Sequence, residues 1–388
     1  MILSERVRVL LEAAIADGLG SAAVCLWQRG PDRQVVAVGR TARAPWPNAA
    51  VTGDTLFDLA SLTKPIATST LLVQTLATGR IALGDRLDAH LPDAVGTQLG
   101  AATIGQLLSH TSGAHAWQDE FAATSDVPPA ERAAAVRRRV LTAPLSRAPG
   151  QAAVYSDLGF MALGWLLEHN HALPLDTLFA QRVAQPLGVG LAFRRPPTAL
   201  GDRQDDGASG SPAVPVAATE IWPPRCADGL PLCGVVHDDN CAALDGVAGH
   251  AGLFGSAVDV AGWAECWRDA VAPGSSARDS LAFLPQGICR HLVATAGVPD
   301  TTWRHGWDTP TQPGSSAGDR APLDAFGHLG FTGTSVWFAP SAGGFVVLLT
   351  NRVHPSRESV APIRRLRPAL HDLIWADWRS RRNGARIR

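Results

Sequence analysis

Ser61 and Lys64 stand three residues apart in "FDLASLTKPIATST", and Lys64 is the single lysine in a chain with 34 lysines and arginines together. Tyr155, in "VYSDLGF", is the single tyrosine. A chain that replaces lysine by arginine and tyrosine by phenylalanine almost everywhere keeps each where the substitute cannot do the work. Pro65 is tolerated only near a helix start, so Ser61 is expected at or just before a first turn. Residues three apart share a helix face, so Ser61 Oγ and Lys64 Nζ can meet. A serine hydroxyl becomes a nucleophile when a neighbour takes its proton. A buried lysine whose pKa is lowered can do that, and arginine, which stays protonated, cannot. The alternative is a helix-start serine beside a surface lysine. The uncharged run from Pro65 to Leu76 argues against a solvated lysine and for a buried helix.

A phenol beside an ammonium can shuttle a proton to a leaving group, which gives Tyr155 a role that phenylalanine lacks. The alternative for Tyr155 is a packed aromatic with a satisfied hydroxyl. A third group lies in "GHLGFTGTSVW", which carries His328, Gly330 and Phe331. Gly330 is expected at the start of a strand, where it lets substrate approach the backbone. The Phe331 N–H there can complete an oxyanion hole with that of Ser61.

These motifs in this order resemble the serine β-lactamase and DD-peptidase superfamily, with its Ser-x-x-Lys, Tyr-x-Asn and Lys-Thr-Gly. "LLSHTSGA", "VHDDNCAAL", "GVAGHAGLFGSAVDVA", "WDTP", "GHLGFTGTSVWFAP" and "LLTNRVHP" extend the likeness over the whole length. They look like class-C-like members, and most like the branch that contains a cytoplasmic N-acetylmuramyl-L-alanine amidase. The resemblance implies an α+β fold, an antiparallel sheet flanked by helices plus an all-helical lobe. It makes Ser61 the acyl-enzyme nucleophile and Lys64 and Tyr155 the proton carriers, and leaves open which is the base. The oxyanion hole is then the N–H of Ser61 and of Phe331.

Two departures bear on substrate. Asp157 stands where the wider family has asparagine, and a carboxylate cannot donate to a substrate carbonyl. His328–Leu329–Gly330 replaces Lys-Thr-Gly, so the lysine and threonine that help hold a penicillin carboxylate are missing. His250 is either a substrate contact or a loop histidine held by backbone. Asn351 and Arg352 follow the last strand, where related enzymes bind substrate carboxylate. Arg352 suits that task by its two-point grip, and its alternative is a surface arginine. Ser109, His110 and Ser112 are expected to hold a turn, and Glu220 and Asp238–Asp239 to order a loop.

Around these residues the chain must supply a scaffold. Its 388 residues are 46% hydrophobic and 18% charged with net charge −1, a globular composition without a clustered basic face. No nucleic-acid or membrane partner is expected. No run approaches a membrane span, and Glu5, Arg6 and Arg8 interrupt any leader-like stretch, so a cytoplasmic location is expected. Leu3, Val7, Leu10, Leu11, Ala14 and Ile15 form one helical face. A hairpin follows around Gly30–Pro31–Asp32. Helices are expected over most of 81–199 and at 257–271, with a polar loop over 201–218. Strands "TSVWFAP" and "GGFVVLLTNRV" turn near Ser341–Gly343, and a last helix starts near Ser359. An α+β lobe is expected from 1–80 and 250–388, and an inserted, mainly helical lobe from 81–249. The spacing of Cys226, Cys233, His237 and Cys241 matches no zinc pattern, so neither metal nor other cofactor is expected.

The sum is a serine hydrolase working through an acyl-enzyme on amide bonds of peptidoglycan-derived muropeptides, at a muramyl–alanine or D-alanyl bond, in recycling. The alternatives are a carboxylesterase or weak class-C-like β-lactamase on the same scaffold, and a non-catalytic penicillin-binding sensor.

Overall fold

The computed structural model describes residues 1–195, 214–226, 228–272, 283–311 and 313–385, with side chains described as far as 380. Most of the expected loop at 201–218 therefore lies outside the described residues.

The apolar face of α1 (Leu3–Ala16) is real, with Val7 and Leu11 fully buried. The hairpin β1 (Ala22–Arg29) and β2 (Asp32–Gly39) turns where Gly30 takes a left-handed φ of 55°, which glycine adopts without strain. In chain order β3 (Phe57–Asp58), α2 (Thr70–Ala77), α3 (Ile104–Leu108), α4 (Glu120–Ala123) and α5 (Pro129–Thr142) follow. Next come α6 (Asp157–His171), α7 (Leu175–Phe179), α8 (Gln185–Leu187), β4 (Ala192–Phe193), α9 (Asp239–Ala242) and β5 (Leu253–Gly255). The chain ends with α10 (Ala257–Val271), α11 (Gln286–Ala294), β6 (Phe326–Leu329), β7 (Ser335–Ala339), β8 (Gly344–Thr350) and α12 (Ala361–Ala385).

The main sheet is antiparallel throughout, in the order β2-β1-β8-β7-β6. Strands from both ends of the sequence thus lie side by side: Ala23 pairs with Thr350 and Arg29 with Gly344. Period-two alternation divides β7 and β8 between two cores. Trp337, Val346 and Leu348 face α1 and α12, whose Leu11, Leu366, Leu370 and Trp375 cover them. Val336, Phe338, Val347 and Leu349 face the other way, into an apolar cluster that runs on through α2, α10 and α6.

The three-stranded sheet β3-β5-β4 was not expected from the sequence, because its strands are only two or three residues long and carry no readable period. It matters to the site. Pairing of Phe57 with Gly255 sets the segment leading to Ser61 against the loop that carries His250.

Candidate active site

Ser61 lies in a single 3-10 turn, Ala60–Leu62, which runs into a π-helical stretch, Lys64–Ser69, and then α2. The uncharged run is buried, as expected, but its first turns are not α-helical. Pro65 has no N–H to give, and its carbonyl accepts from Thr70 Oγ1 five residues on, at 2.9 Å. Thr70 Oγ1 also accepts the indole N–H groups of Trp263 and Trp267 at 3.0 and 3.1 Å. The turn is thus bolted to α10. Ala60, just before the serine, has a φ of 47°, a strained value for a residue with a Cβ. Asp58 holds it there by accepting the Ala60 N–H at 2.8 Å.

Lys64 Nζ donates to Ser61 Oγ at 3.0 Å, to Asp157 Oδ1 at 2.6 Å and to the His250 carbonyl at 3.1 Å. All three ammonium hydrogens are committed, and the side chain is wholly buried. Burial pushes its pKa down, but Asp157 and Tyr155 outweigh burial and hold it above the ordinary lysine value. The sequence-level expectation of a lowered lysine pKa is therefore corrected: the resting site holds an ammonium. The physical reason is Asp157. It opens α6 next to its N-cap Ser156, where the helix N-terminus favours a carboxylate.

Tyr155 directly precedes that cap. Its hydroxyl interacts with both Lys64 and Ser61, while burial, only partly offset by Lys64, raises its pKa. The ammonium lies 4.8 Å from the ring centroid. Its ring is enclosed by His110, Trp303 and His328 at centroid distances of 4.7, 5.1 and 6.0 Å. His110 and Trp303 were not singled out for the site by the sequence. His110 does hold a turn, at φ 58°, but its Nδ1 also accepts the Ser156 N–H at 3.1 Å and so fixes the residue after Tyr155. The signal available was the "SHTSG" turn itself, which does not say what the histidine faces.

His328 is the penultimate residue of β6, with its ring buried and Nδ1 bonded to the Leu329 carbonyl at 2.8 Å. Burial, and then Lys64, lower its pKa to about 3, so it is neutral. Gly330 falls just after β6, not at the start of a strand. A Cβ there would meet Thr334 Oγ1 at 2.0 Å and the Leu59 carbonyl at 2.7 Å. Its smallness lets the β6–β7 turn pack onto the strand that leads to Ser61, which corrects the expectation that the space serves substrate. Thr334 Oγ1 donates to Leu59 O and Thr332 Oγ1 to Asp58 O, at 3.0 and 2.8 Å, sealing that contact. Among the described residues no group accepts the N–H of Ser61 or Phe331.

Three expected substrate contacts are placed otherwise. His250 has its ring buried, with Nε2 2.9 Å from Asp238 Oδ1, and it serves Lys64 through its carbonyl. Burial alone would raise Asp238, but His250 beside it outweighs this and holds the carboxyl below its ordinary range. Asn351 spends its side chain on structure: Oδ1 accepts from Ser21 and Ala22, and Nδ2 donates to Ser21 Oγ, Thr41 O and Ala218 O. Arg352 lies over the Phe331 ring at 4.4 Å, with Nε on Phe331 O at 2.7 Å and Nη1 on Arg357 O at 2.9 Å. It braces the turn rather than standing free as a carboxylate clamp. Glu220 does order its loop, accepting from Arg357 and meeting His237 Nε2 at 2.9 Å.

A serine backed by a buried ammonium and a phenol, with unengaged backbone N–H groups beside it on an antiparallel sheet, defines a serine hydrolase. The chain belongs to the Beta-lactamase family, whose family model matches residues 9–370. It is 28% identical over 341 residues to the "Putative D-alanyl-D-alanine carboxypeptidase" of Escherichia coli K12, covering 79% of this chain and 71% of that protein. It is 27% identical over 324 residues to the "N-acetylmuramyl-L-alanine amidase" of Bacillus subtilis strain 168, covering 77% of this chain and 68% of the other. Among solved structures, EstCE1, a hydrolase with promiscuous acyltransferase activity, superposes with a TM-score of 0.70 at 21% identity, over 96% of this chain and 98% of that one. A class C β-lactamase mutant gives 0.69 at 15% identity, over 96% and 97%. Among the described residues no helix is long and apolar enough to cross a membrane.

Proposed function

We propose that this chain is an acyl-enzyme amidase acting on peptidoglycan-derived muropeptides, with Ser61 as nucleophile. The Ser61 and Phe331 N–H groups form the oxyanion hole. Tyr155 is a two-way shuttle. As Ser61 Oγ bonds to the carbonyl carbon, the phenol accepts the serine proton and passes its own proton to the departing nitrogen. Acyl-enzyme and free amine result. Water reverses the path, and its proton returns to Ser61 as the acyl group leaves. Lys64, charged throughout, holds Ser61 and Tyr155 in register and stabilises negative charge as it develops.

The observation that carries the substrate preference is the commitment of Asp157 to Lys64 at 2.6 Å beside a neutral His328. The positions that hold amide carbonyl and carboxylate of a β-lactam in the wider family thus offer a carboxylate and an uncharged ring. Losing a charged hydrogen bond costs about 1.5–3 kcal/mol, and the acid adds repulsion. A muropeptide has sugar and peptide with which to recover binding elsewhere. The relatives named as amidase and carboxypeptidase support the same substrate class. A cytoplasmic role in recycling imported fragments is part of this proposal.

The test is one comparison of kcat/KM on soluble muropeptides, simple esters and nitrocefin, with Ser61→Ala alongside. Muropeptides should lead nitrocefin by on the order of a hundredfold, and Ser61→Ala should lose several powers of ten. Nitrocefin equal to the best muropeptide would make the protein a β-lactamase. Esters leading the panel would make it a carboxylesterase. Ser61→Ala within about tenfold of the native rate would remove Ser61 from the chemistry.

A further inference from the structure

Arg367 is a cation without a counter-ion beside the turn that follows β6. It sits on the sheet-facing side of α12, and among the described residues no carboxylate lies within salt-bridge distance. Its Nε is buried with no hydrogen-bond partner. Burial, and then Arg352, lower its pKa to about 9, which still leaves it charged at neutral pH. Arg367 is half-buried, and at such a site packed apolar groups would serve the fold as well as a cation without a carboxylate partner.

What Arg367 does touch is specific. Nη2 donates to the Gly330 carbonyl at 3.0 Å and to the Thr334 carbonyl at 2.7 Å. The Gly330 carbonyl also accepts the Gly333 N–H at 3.1 Å. The peptide joining Gly330 to Phe331 is planar and trans, so its N–H points opposite to its C=O. Holding the Gly330 oxygen toward α12 therefore aims the Phe331 N–H away from α12. The next peptide is held too, since Arg352 Nε donates to Phe331 O. On its other flank the turn rests on Leu59, through Thr334 Oγ1 and the Cβ-free face of Gly330.

We propose that Arg367 is a positioning residue for the oxyanion hole: its guanidinium fixes the Gly330–Phe331 peptide plane and polarises it, making the Phe331 N–H a better-aimed and stronger donor. The second part follows from cooperativity, since a cation on the carbonyl draws electron density from the N–H of the same amide. This rests on the assignment of Ser61 and Phe331 N–H as the oxyanion donors.

The experiment compares Arg367→Met and Arg367→Lys with the native chain, on the best substrate of the panel, per active site titrated with a fluorophosphonate. The probe phosphonylates Ser61 with loss of fluoride, and its phosphonyl oxygen needs the same donors. Arg367→Met should lower kcat by about tenfold or more with KM within about twofold, and slow phosphonylation by a similar factor. Arg367→Lys, which keeps charge but not the planar fork, should fall between. A residue that only packs would reduce the number of titratable sites and leave the rate per site unchanged, and that result overturns the proposal. Should Arg367→Met fail to fold, Arg367→Lys decides alone: a lower kcat at native KM supports the role, and native kcat overturns it. Ser61→Ala in the same assay separates the two ideas. If Ser61→Ala is inactive while the Arg367 variants keep native rates per site, only the role of Arg367 falls.

Discussion

Ser61 and Lys64 were legible because rarity and a three-residue spacing survive in a bare sequence; the partner that decides the lysine's charge was not. Asp157 is 93 residues from Lys64 in the chain, and only the fold sets the 2.6 Å contact between them. Hence the contact of Ser61 Oγ with Lys64 Nζ was foreseen and the lysine's protonation state was not. Lys64→Arg should be nearly as damaging as Lys64→Ala. The guanidinium is charged, but its rigid fork cannot make the three divergent bonds to Ser61, Asp157 and the His250 carbonyl inside a wholly buried pocket. Steady-state kcat of the two variants checks this, and a native-like arginine variant would show that charge alone suffices. Asp157→Asn should act differently. Removing one partner of a buried pair costs about 3–5 kcal/mol, and leaves Lys64 to burial, which lowers its pKa. The new amide can donate to a substrate carbonyl. Denaturant melts should register the lost stability, and the nitrocefin-to-muropeptide ratio of kcat/KM should rise. A ratio that stays put would mean that Asp157 does not govern discrimination.

Long periodic elements announced themselves, as α1, the β1–β2 hairpin, β7, β8 and α12 all show. Short ones did not. β3, β4 and β5 are too brief to carry a period, yet β3 and β5 join the serine's strand to the His250 loop. Gly330 shows the same limit. The sequence marks a close approach, but whether substrate or backbone fills the space depends on what packs against the turn. Asn351 and Arg352 read as substrate residues by position, while their hydrogen bonds tie β1, the 218 region and the Phe331 turn together. Gly330→Ala tests the turn. Its methyl would stand 2.0 Å from Thr334 Oγ1 and 2.7 Å from a backbone oxygen that cannot swing away. The turn must lift from Leu59, so kcat should drop by about a hundredfold, as when an oxyanion donor is lost. Circular dichroism should remain native, because the displacement is confined to the end of β6. Native kcat in Gly330→Ala would show that the contact between turn and serine strand does not govern the chemistry.

Across the whole molecule, the buried histidines set the limit of acid stability. His110, His305, His328 and His371 are all buried. Burial is the first cause in each case, lowering His305 and His371 to about 4, His328 to about 3, and His110 well below its ordinary value. Their settings agree with the neutral form: His371 Nδ1 meets the Ser316 and Arg367 carbonyls, and His110 Nδ1 accepts a backbone N–H. A depressed folded pKa gives stability that is complete above the unfolded value and lost as pH falls through the folded one. The window therefore opens near 6.5, the ordinary histidine value, and runs down past 4. Within it the unfolded chain takes up protons that the native chain refuses, at up to about 1.4 kcal/mol per pH unit for each group. Asp58 and Asp308, raised by burial, act in the opposite sense, gaining stability as pH falls through their folded values. At the alkaline end Lys64 works in the other sense. Its raised pKa gives stability that is present below 10.5 and lost only as pH climbs through the higher folded value. Cys25, Cys241 and Cys289, raised by burial above the ordinary thiol value of 9.0, add to that alkaline loss, so stability should fall on both sides of neutrality. Between pH 7 and pH 5 the midpoint of thermal unfolding should fall by roughly 5–10 °C, equivalent to several kcal/mol. Calorimetry at pH 5.5 in buffers of different ionisation enthalpy should find protons taken up on unfolding. A flat midpoint from pH 7 to 5 with no proton uptake would mean that these histidines titrate freely in the native fold, and that the closed aromatic wall around Tyr155 opens to water.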